Sequence, residues 1–185
     1  MRLVLLGAPG VGKGTQAALL CGARGWAHIS TGSLLRDAVD RGTDLGRRAR
    51  AAMERGDLVE DAIIMALLEE ALGRTNAGYV LDGFPRNLPQ AVELDDLLRK
   101  RGERLDRVVL IAAEEDEVVQ RMQKRGRSDD TPEVVRYRLR VFEEKTAPLV
   151  EYYEGRGLLS RVDGVGEIEE VRRRISRTLG FKDEG

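Results

Sequence analysis

The sequence predicts an α/β fold, a five-stranded parallel sheet with helices on both faces, and three observations lead there. Strand-like and helix-like stretches alternate along the chain, the order that builds a helix-covered parallel sheet. The clearest strand-like runs, 3–6 and 108–111, are apolar throughout instead of alternating, as expected of strands buried on both faces. The first of them leads straight into a glycine-rich turn containing a lysine, at the carboxyl edge where such sheets bind ligands.

Taken in order, residues 3–6 form a short apolar run stopped by Gly7, the pattern of a buried strand. A helix is expected over 13–24, with Ala17, Leu20 and Cys21 able to share one face. The stretch 27–29 is brief, and a second strand fits there. Helices follow over 33–40, 44–55 and 61–72, punctuated by Gly42 and Gly56. The stretch 31–59 holds no strand of its own, and residues 30–59 are expected to stand beside the sheet as an insertion. Gly78-Tyr79-Val80-Leu81-Asp82 is a strand ending on an acid. A helix over 88–101, the apolar strand Val108-Val109-Leu110-Ile111 and a helix over 115–124 come next. The polar segment Gly126-Arg127-Ser128-Asp129-Asp130 cannot bury much. Pro132 suits the first turn of a long helix running towards Glu154, which Pro148 is expected to kink or interrupt. A strand over 158–162 and a helix over 168–179 close the chain, with no internal repeat. A single domain of 185 residues is expected, with its core at 1–29, 60–125 and 133–185.

Composition narrows the function classes. Apolar residues at 42% and charged residues at 34% belong to an ordinary soluble globular chain. A formal net charge of -1 argues against a nucleic-acid binder with a basic surface, though not against a local cluster of arginines. Cys21 is the single cysteine. No internal disulfide can form, no Cys/His set for zinc exists, and Cys21 is expected in the core of the first helix. The apolar N-terminal run meets its glycine turn too soon for a secretory signal, and no run approaches a membrane span. A cytoplasmic location with no membrane partner is the expectation. His28 is expected to pack near the second strand.

Gly7-Ala8-Pro9-Gly10-Val11-Gly12-Lys13-Gly14-Thr15 lies between a strand and a helix, the context in which a phosphate-binding P-loop makes physical sense. Glycines let the backbone N–H groups converge on phosphate, and the helix N-terminus adds partial positive charge. Lys13 can reach the outer phosphates, and Thr15 can offer its hydroxyl towards Mg²⁺. One detail differs from the common signature: Gly14 separates the lysine from the hydroxyl residue.

The P-loop followed by Gln16, then Ile29-Ser30-Thr31-Gly32-Ser33-Leu34-Leu35-Arg36, then Leu81-Asp82-Gly83-Phe84-Pro85-Arg86, resembles the adenylate kinases. Arg121, Arg125, residues 126–130, Arg138 and Gly166 continue the resemblance to the final helix. It implies a P-loop three-layer fold and reversible phosphoryl transfer from MgATP to AMP, giving two ADP. By resemblance, Gly10, Val11, Gly12, Lys13, Gly14, Thr15, Arg121, Arg125 and the Gly166 carbonyl hold ATP. Thr31, Arg36, Asp57, Leu58, Val59, Gly83, Phe84, Pro85, Arg86 and Gln90 hold AMP. Lys13, Arg86, Arg125, Arg127 and Arg138 surround the transferring group, the last two also reaching AMP. Arginine suits this work because its planar fork binds phosphate oxygens in pairs. Asp82 resembles the acid that orients hydrated Mg²⁺, with Thr15 beside it.

The resemblance further implies an AMP-side cover at 30–59, a short lid at 126–132 without zinc, and a monomer. Ser33 stands where the family commonly has Asp and is expected to cap a helix. Glu60 stands where it commonly has Pro and is expected to loosen a hinge. The alternative is a pyrimidine (UMP/CMP) nucleoside monophosphate kinase of the same fold. There Ala usually replaces Thr31 and Asn the glutamine, so Thr31 with Gln90 favours AMP. A non-catalytic nucleotide switch would need a guanine-reading Asn-Lys-x-Asp motif, and none is present.

Overall fold

The apolar runs pair as strands β1 (Arg2–Leu6), β2 (Ala27–Ser30), β3 (Tyr79–Asp82), β4 (Arg107–Ala112) and β5 (Leu159–Asp163). All neighbours are parallel, in the spatial order β2-β3-β1-β4-β5. This computed structural model describes residues 1–75, 77–125 and 131–181, with Arg125 described by its backbone alone. The helices are α1 (Lys13–Arg24), α2 (Thr31–Asp40), α3 (Asp44–Arg55), α4 (Asp61–Gly73), α5 (Leu88–Lys100), α6 (Glu115–Arg125), α7 (Pro132–Val141), α8 (Leu149–Glu154) and α9 (Ile168–Thr178).

Side chains alternate across a strand, and here both faces are apolar because both are covered. Val4, Leu6, Leu81, Val108 and Leu110 point into one core with Leu68 of α4, Leu94 and Leu98 of α5, and Tyr153 of α8. Leu3, Leu5, Val80, Val109 and Ile111 point into the other with Ala17 and Leu20 of α1, Met122 of α6, Leu139 of α7 and Ile175 of α9. Complete burial of one such leucine contributes about 2 kcal/mol, so the two layers hold the sheet between them. Cys21 joins the second core. Burial pushes its thiol up to about 11, leaving an unreactive packing residue, as its position on the helix face predicted.

The register sets Leu5 beside Asp82 and Leu6 beside Leu110. The end of β1 is therefore flanked by the acid on one side and by β4 on the other. The chain leaves β1 for β2, returns to β3, and crosses to β4 on the opposite side of β1. A crevice outside the carboxyl ends of the strands is the consequence.

Two boundaries differ from expectation. Helix α2 starts at Thr31 with Ser30, the last residue of β2, as its N-cap. Ser33 therefore lies inside the first turn and accepts a bond from Arg36 Nη2 at 3.3 Å, where it cannot cap. The long helix after Pro132 is interrupted before Pro148, as expected, but by widening: Phe142–Thr146 is a π-helical turn closed by Ala147 N–H to the Phe142 carbonyl at 2.9 Å. Proline has no N–H, and its ring crowds the carbonyl four residues back, so the chain takes a wider turn and restarts as α8.

Helices α2 and α3 meet at Gly46. Thr43 caps α3 by accepting from Gly46 N–H at 3.1 Å and donates to the Ala38 carbonyl at 3.0 Å. A Cβ on Gly46 would stand 2.0 Å from that carbonyl oxygen, which is backbone and cannot step aside. Gly46→Ala is therefore expected to destabilise the protein by about 3 kcal/mol, the upper range of overpacking. A thermal melt within 2 °C or so of the parent would refute the close approach. Among the described residues, no helix is long and apolar enough to cross a membrane.

Candidate active site

A cleft of about 890 Å³ opens over the carboxyl ends of the strands, a size suited to small-molecule ligands. Its floor is the glycine turn. Gly10 holds φ at +88°, and a Cβ there would meet Met122 at 2.3 Å, so only glycine lets the loop lie down on α6. The loop ends at Gly12, the N-cap of α1, and no side chain caps the helix. Its first N–H groups lack intrahelical acceptors and face an incoming anion. Lys13 Nζ donates to the Gly7 carbonyl at 2.8 Å and the Ala8 carbonyl at 2.9 Å, which holds the ammonium over the loop.

Asp82 ends β3 beside this turn. Its Oδ2 would lie 3.2 Å from a Cβ on Gly14, a tight contact on which a side chain between Lys13 and Thr15 would press. Burial works to raise the Asp82 pKa. The His28 hydrogen bond, the charges of Lys13 and His28, and Ser30 together outweigh it and hold the carboxyl below its ordinary value. Asp82 is an anion at neutral pH. His28 corrects the expectation of a residue packed away: it lines the cleft with Nε2 3.5 Å from Asp82 Oδ2.

Arg36, Arg86 and Arg138 come from α2, the turn after β3 and α7, yet they converge. Arg86 is open to the cleft but surrounded by protein atoms. Its surroundings depress the guanidinium pKa, Asp82 pushes back, and the like charges of Arg138 and Arg36 depress it further. It remains a cation nonetheless. Arg86 Nε donates to the Gly83 carbonyl at 2.8 Å. The Arg86 carbonyl accepts from Thr146 Oγ1 at 2.7 Å, so the π-helical turn steadies this segment. Arg121 lies at the other end, donating to the carbonyls of Val11 at 3.2 Å and Gly164 at 3.0 Å while pairing with Glu117 at 2.8 Å. It ties the glycine turn to the loop that carries Gly166.

Thr31 is buried and donates its hydroxyl to the Gly83 carbonyl at 2.9 Å. Gln90 is buried at the cleft wall, its amide bonded on both ends. Asp57, Leu58 and Val59 line the same side. The Asp57 carboxylate accepts from Tyr137 at 2.7 Å and Arg55 at 2.8 Å, and those bonds, the Tyr137 one foremost, lower its pKa. Gly10, Val11, Gly12, Gly14, Thr15, Gly83, Pro85 and Gly166 also line the cleft. Phe84 does not. Its ring is 1% exposed in the first core, so it anchors Gly83 and Pro85 from beneath. Glu60 has φ −48°, ψ 131°, where proline would also fit, and its carboxylate pairs with Arg48 at 2.6 Å. That exposed bridge joins α3 to the start of α4. The Arg125 side chain, Arg127 and residues 126–130 of the expected lid lie outside the described residues.

Thr146, Tyr137 and Asp61 were not anticipated from the sequence, because each acts through a contact with a residue 29 or more positions away. Among the described residues, no group of three or more His, Cys, Asp or Glu side chains could hold a metal. Any divalent ion here would rest on one carboxylate, water and its ligand's phosphates, which is how Mg²⁺ is commonly bound. The ionised Asp82 carboxylate with the exposed Thr15 hydroxyl nearby fits that role.

The adenylate kinase family model matches residues 5–158. The chain is 51% identical to an adenylate kinase of Xylella fastidiosa (strain M23), over 97% of this chain and all of the relative. It is 51% identical to one of Xanthomonas euvesicatoria pv. vesicatoria (strain 85-10), over the same shares. With one of Parasynechococcus marenigrum (strain WH8102) the identity is 48%, over 96% of this chain and 98% of the relative. A glycine turn under a lysine, an ionised strand-end carboxylate and converging guanidinium groups thus occur in a sequence alignable to these enzymes almost end to end, and the chain belongs to the adenylate kinase family.

Proposed function

We propose that this enzyme moves the terminal phosphoryl group of ATP onto AMP, giving two ADP, in a reversible reaction that balances the adenine nucleotide pool. The observation that carries the reading is the convergence of Lys13, Arg36, Arg86, Arg121 and Arg138 on one cleft. A crevice lined by this many cations carries a positive field that draws in and positions a polyanion.

The ends of the cleft suggest an order. ATP lies along the glycine turn, its phosphates on the loop N–H groups and Lys13, its base between Arg121 and the Gly166 carbonyl. AMP lies on the opposite side, its base by Thr31, Val59 and Gln90, its phosphate on Arg36 and Arg86. The transferring group then sits between Lys13, Arg86 and Arg138. An AMP phosphate oxygen, already anionic, attacks the terminal phosphorus. The bond to the bridging oxygen breaks, and ADP leaves with that electron pair. No proton must be removed from the nucleophile, so the site needs no general base. Alignment and charge stabilisation supply the rate. Mg²⁺, when bound with ATP, neutralises phosphate charge, and Asp82 with Thr15 would orient it through water.

Residues 30–59 are proposed as the AMP-side cover. They hold α2, α3 and the Asp57–Val59 wall, and their closure over AMP would keep water from competing for the phosphoryl group. A cytoplasmic, monomeric enzyme is the accompanying reading. No observation favours the pyrimidine alternative. The test is a coupled assay with purified protein and Mg²⁺. ADP should form rapidly from ATP plus AMP, more slowly with UMP or CMP, and barely from ATP alone. Equal ADP formation with AMP absent would make the protein an ATPase and end the proposal.

A further inference from the structure

Gln90 Nε2 donates to Asp61 Oδ1 at 2.6 Å, while Gln90 Oε1 accepts from the Arg86 backbone N–H at 2.7 Å. Asn87 Nδ2 lies 3.4 Å from the same Asp61 oxygen, and Asn87 Oδ1 accepts from the Gln90 backbone N–H at 2.8 Å. Asp61 does not itself line the cleft, whereas Gln90 does. The arrangement has a polarity. Turning the Gln90 amide over would set its oxygen against the Asp61 carboxylate and its NH₂ group against the Arg86 N–H. Acceptor would face acceptor and donor would face donor. Both errors would sit at a side chain on a residue only 2% exposed, where mispaired polar groups are most costly.

A primary amide has two donors and room for two accepted bonds. With one of each engaged by Asp61 and Arg86, one N–H and one lone pair remain, in fixed positions. Adenine presents a donor at its 6-amino group and an acceptor at N1, the complement of that pair. A 6-oxopurine presents the reverse, an acceptor at O6 and a donor at N1–H. A glutamine free to turn over could serve either base.

We propose that Asp61 is the positioning residue that fixes the Gln90 amide in one orientation, and that this lock excludes 6-oxopurine monophosphates from the acceptor site. The proposal rests on the reading of Gln90 as facing the acceptor base. The carboxylate is what makes the lock one-sided, because it can only accept. An asparagine in its place offers either an oxygen or an NH₂ group, so the Gln90 amide can turn with only the Arg86 N–H opposing it.

The experiment measures kcat/KM for AMP, IMP and GMP as acceptors, and KM for ATP, in the parent, Asp61→Asn, Asp61→Glu and Gln90→Leu. For Asp61→Asn the AMP:IMP ratio should fall on the order of tenfold, the equivalent of one mispaired hydrogen bond, with the KM for ATP unchanged. Asp61→Glu, which keeps the carboxylate, should recover much of the ratio; a purely structural role would not follow the carboxylate in this way. Should Asp61→Asn fail to fold, Asp61→Ser carries the same comparison. An unchanged AMP:IMP ratio in a folded variant, with Gln90→Leu weakening AMP, overturns the lock but leaves the site reading standing. Gln90→Leu leaving the KM for AMP unchanged overturns the site reading itself.

Discussion

Replacing Lys13 by methionine is expected to lower kcat by about a thousandfold, or roughly 4 kcal/mol in the barrier, while the protein stays folded. The size follows from the site. Lys13 is the cation held directly over the glycine turn by the Gly7 and Ala8 carbonyls. In the proposed mechanism it meets the terminal phosphates where charge builds as the group transfers, in a cleft that would exclude bulk water on closing. Methionine keeps the length of the stem and removes the charge. The cost to folding includes the loss of the hydrogen bonds to the Gly7 and Ala8 carbonyls at the edge of the cleft, about 1 kcal/mol each. A melting temperature lower by several degrees would therefore accompany the kinetic collapse. Single-turnover measurements with saturating ATP and AMP separate the two effects, and a variant that transfers phosphate at the parent rate would remove Lys13 from the mechanism.

The same residue shows which parts of the site can be read from sequence. Lys13 is visible because its neighbours are local: strand, glycine turn and helix follow one another within a short stretch of chain, and each has its own signal. The strands were visible for a similar reason. A strand covered on both faces must be apolar at every position, and Leu3–Leu6 and Val108–Ile111 are. Arg36, Arg86, Arg121 and Arg138 are different. Each alone is an ordinary surface charge by composition, and only the spacing of several motifs in a known order distinguished them. Least legible were the contacts that act through a third residue. Nothing local to Asp61 says that it will meet Gln90, and nothing local to Thr146 says that it will hold Arg86. His28 was misjudged because β2 is only four residues long, too short for a pattern to tell which face turns to the cleft. Ser33 was misjudged because α2 starts directly from the strand, two residues before the expected cap.

Removing the Arg86 side chain should separate activity from stability more sharply than Lys13 does. The surroundings of the guanidinium and the nearby charges of Arg36 and Arg138 depress its pKa, and among the described residues Asp82 opposes them. Without nucleotide, the like charges of Arg36 and Arg138 act against Arg86 and raise the energy of the folded state; with two phosphates bound, the same three cations would lower the energy of the complex. Arg86→Ala relieves the first effect and destroys the second. A bidentate guanidinium–phosphate pair represents two charge-assisted bonds of about 2 kcal/mol each. The loss in kcat/KM for AMP should then be on the order of a thousandfold. Stability should move little, since lost repulsion offsets the loss of the bond to the Gly83 carbonyl. Arg86→Lys sharpens the test, because it keeps the charge and the repulsion but not the planar fork. It should recover less than half of the lost free energy of activation. If Arg86→Lys matched the parent, a point charge would suffice and the paired geometry assigned to the acceptor phosphate would be wrong. If Arg86→Ala instead unfolded the protein while Arg86→Lys did not, the guanidinium would be a structural cation whose task is to balance Asp82, and the acceptor phosphate would have to rest on Arg36.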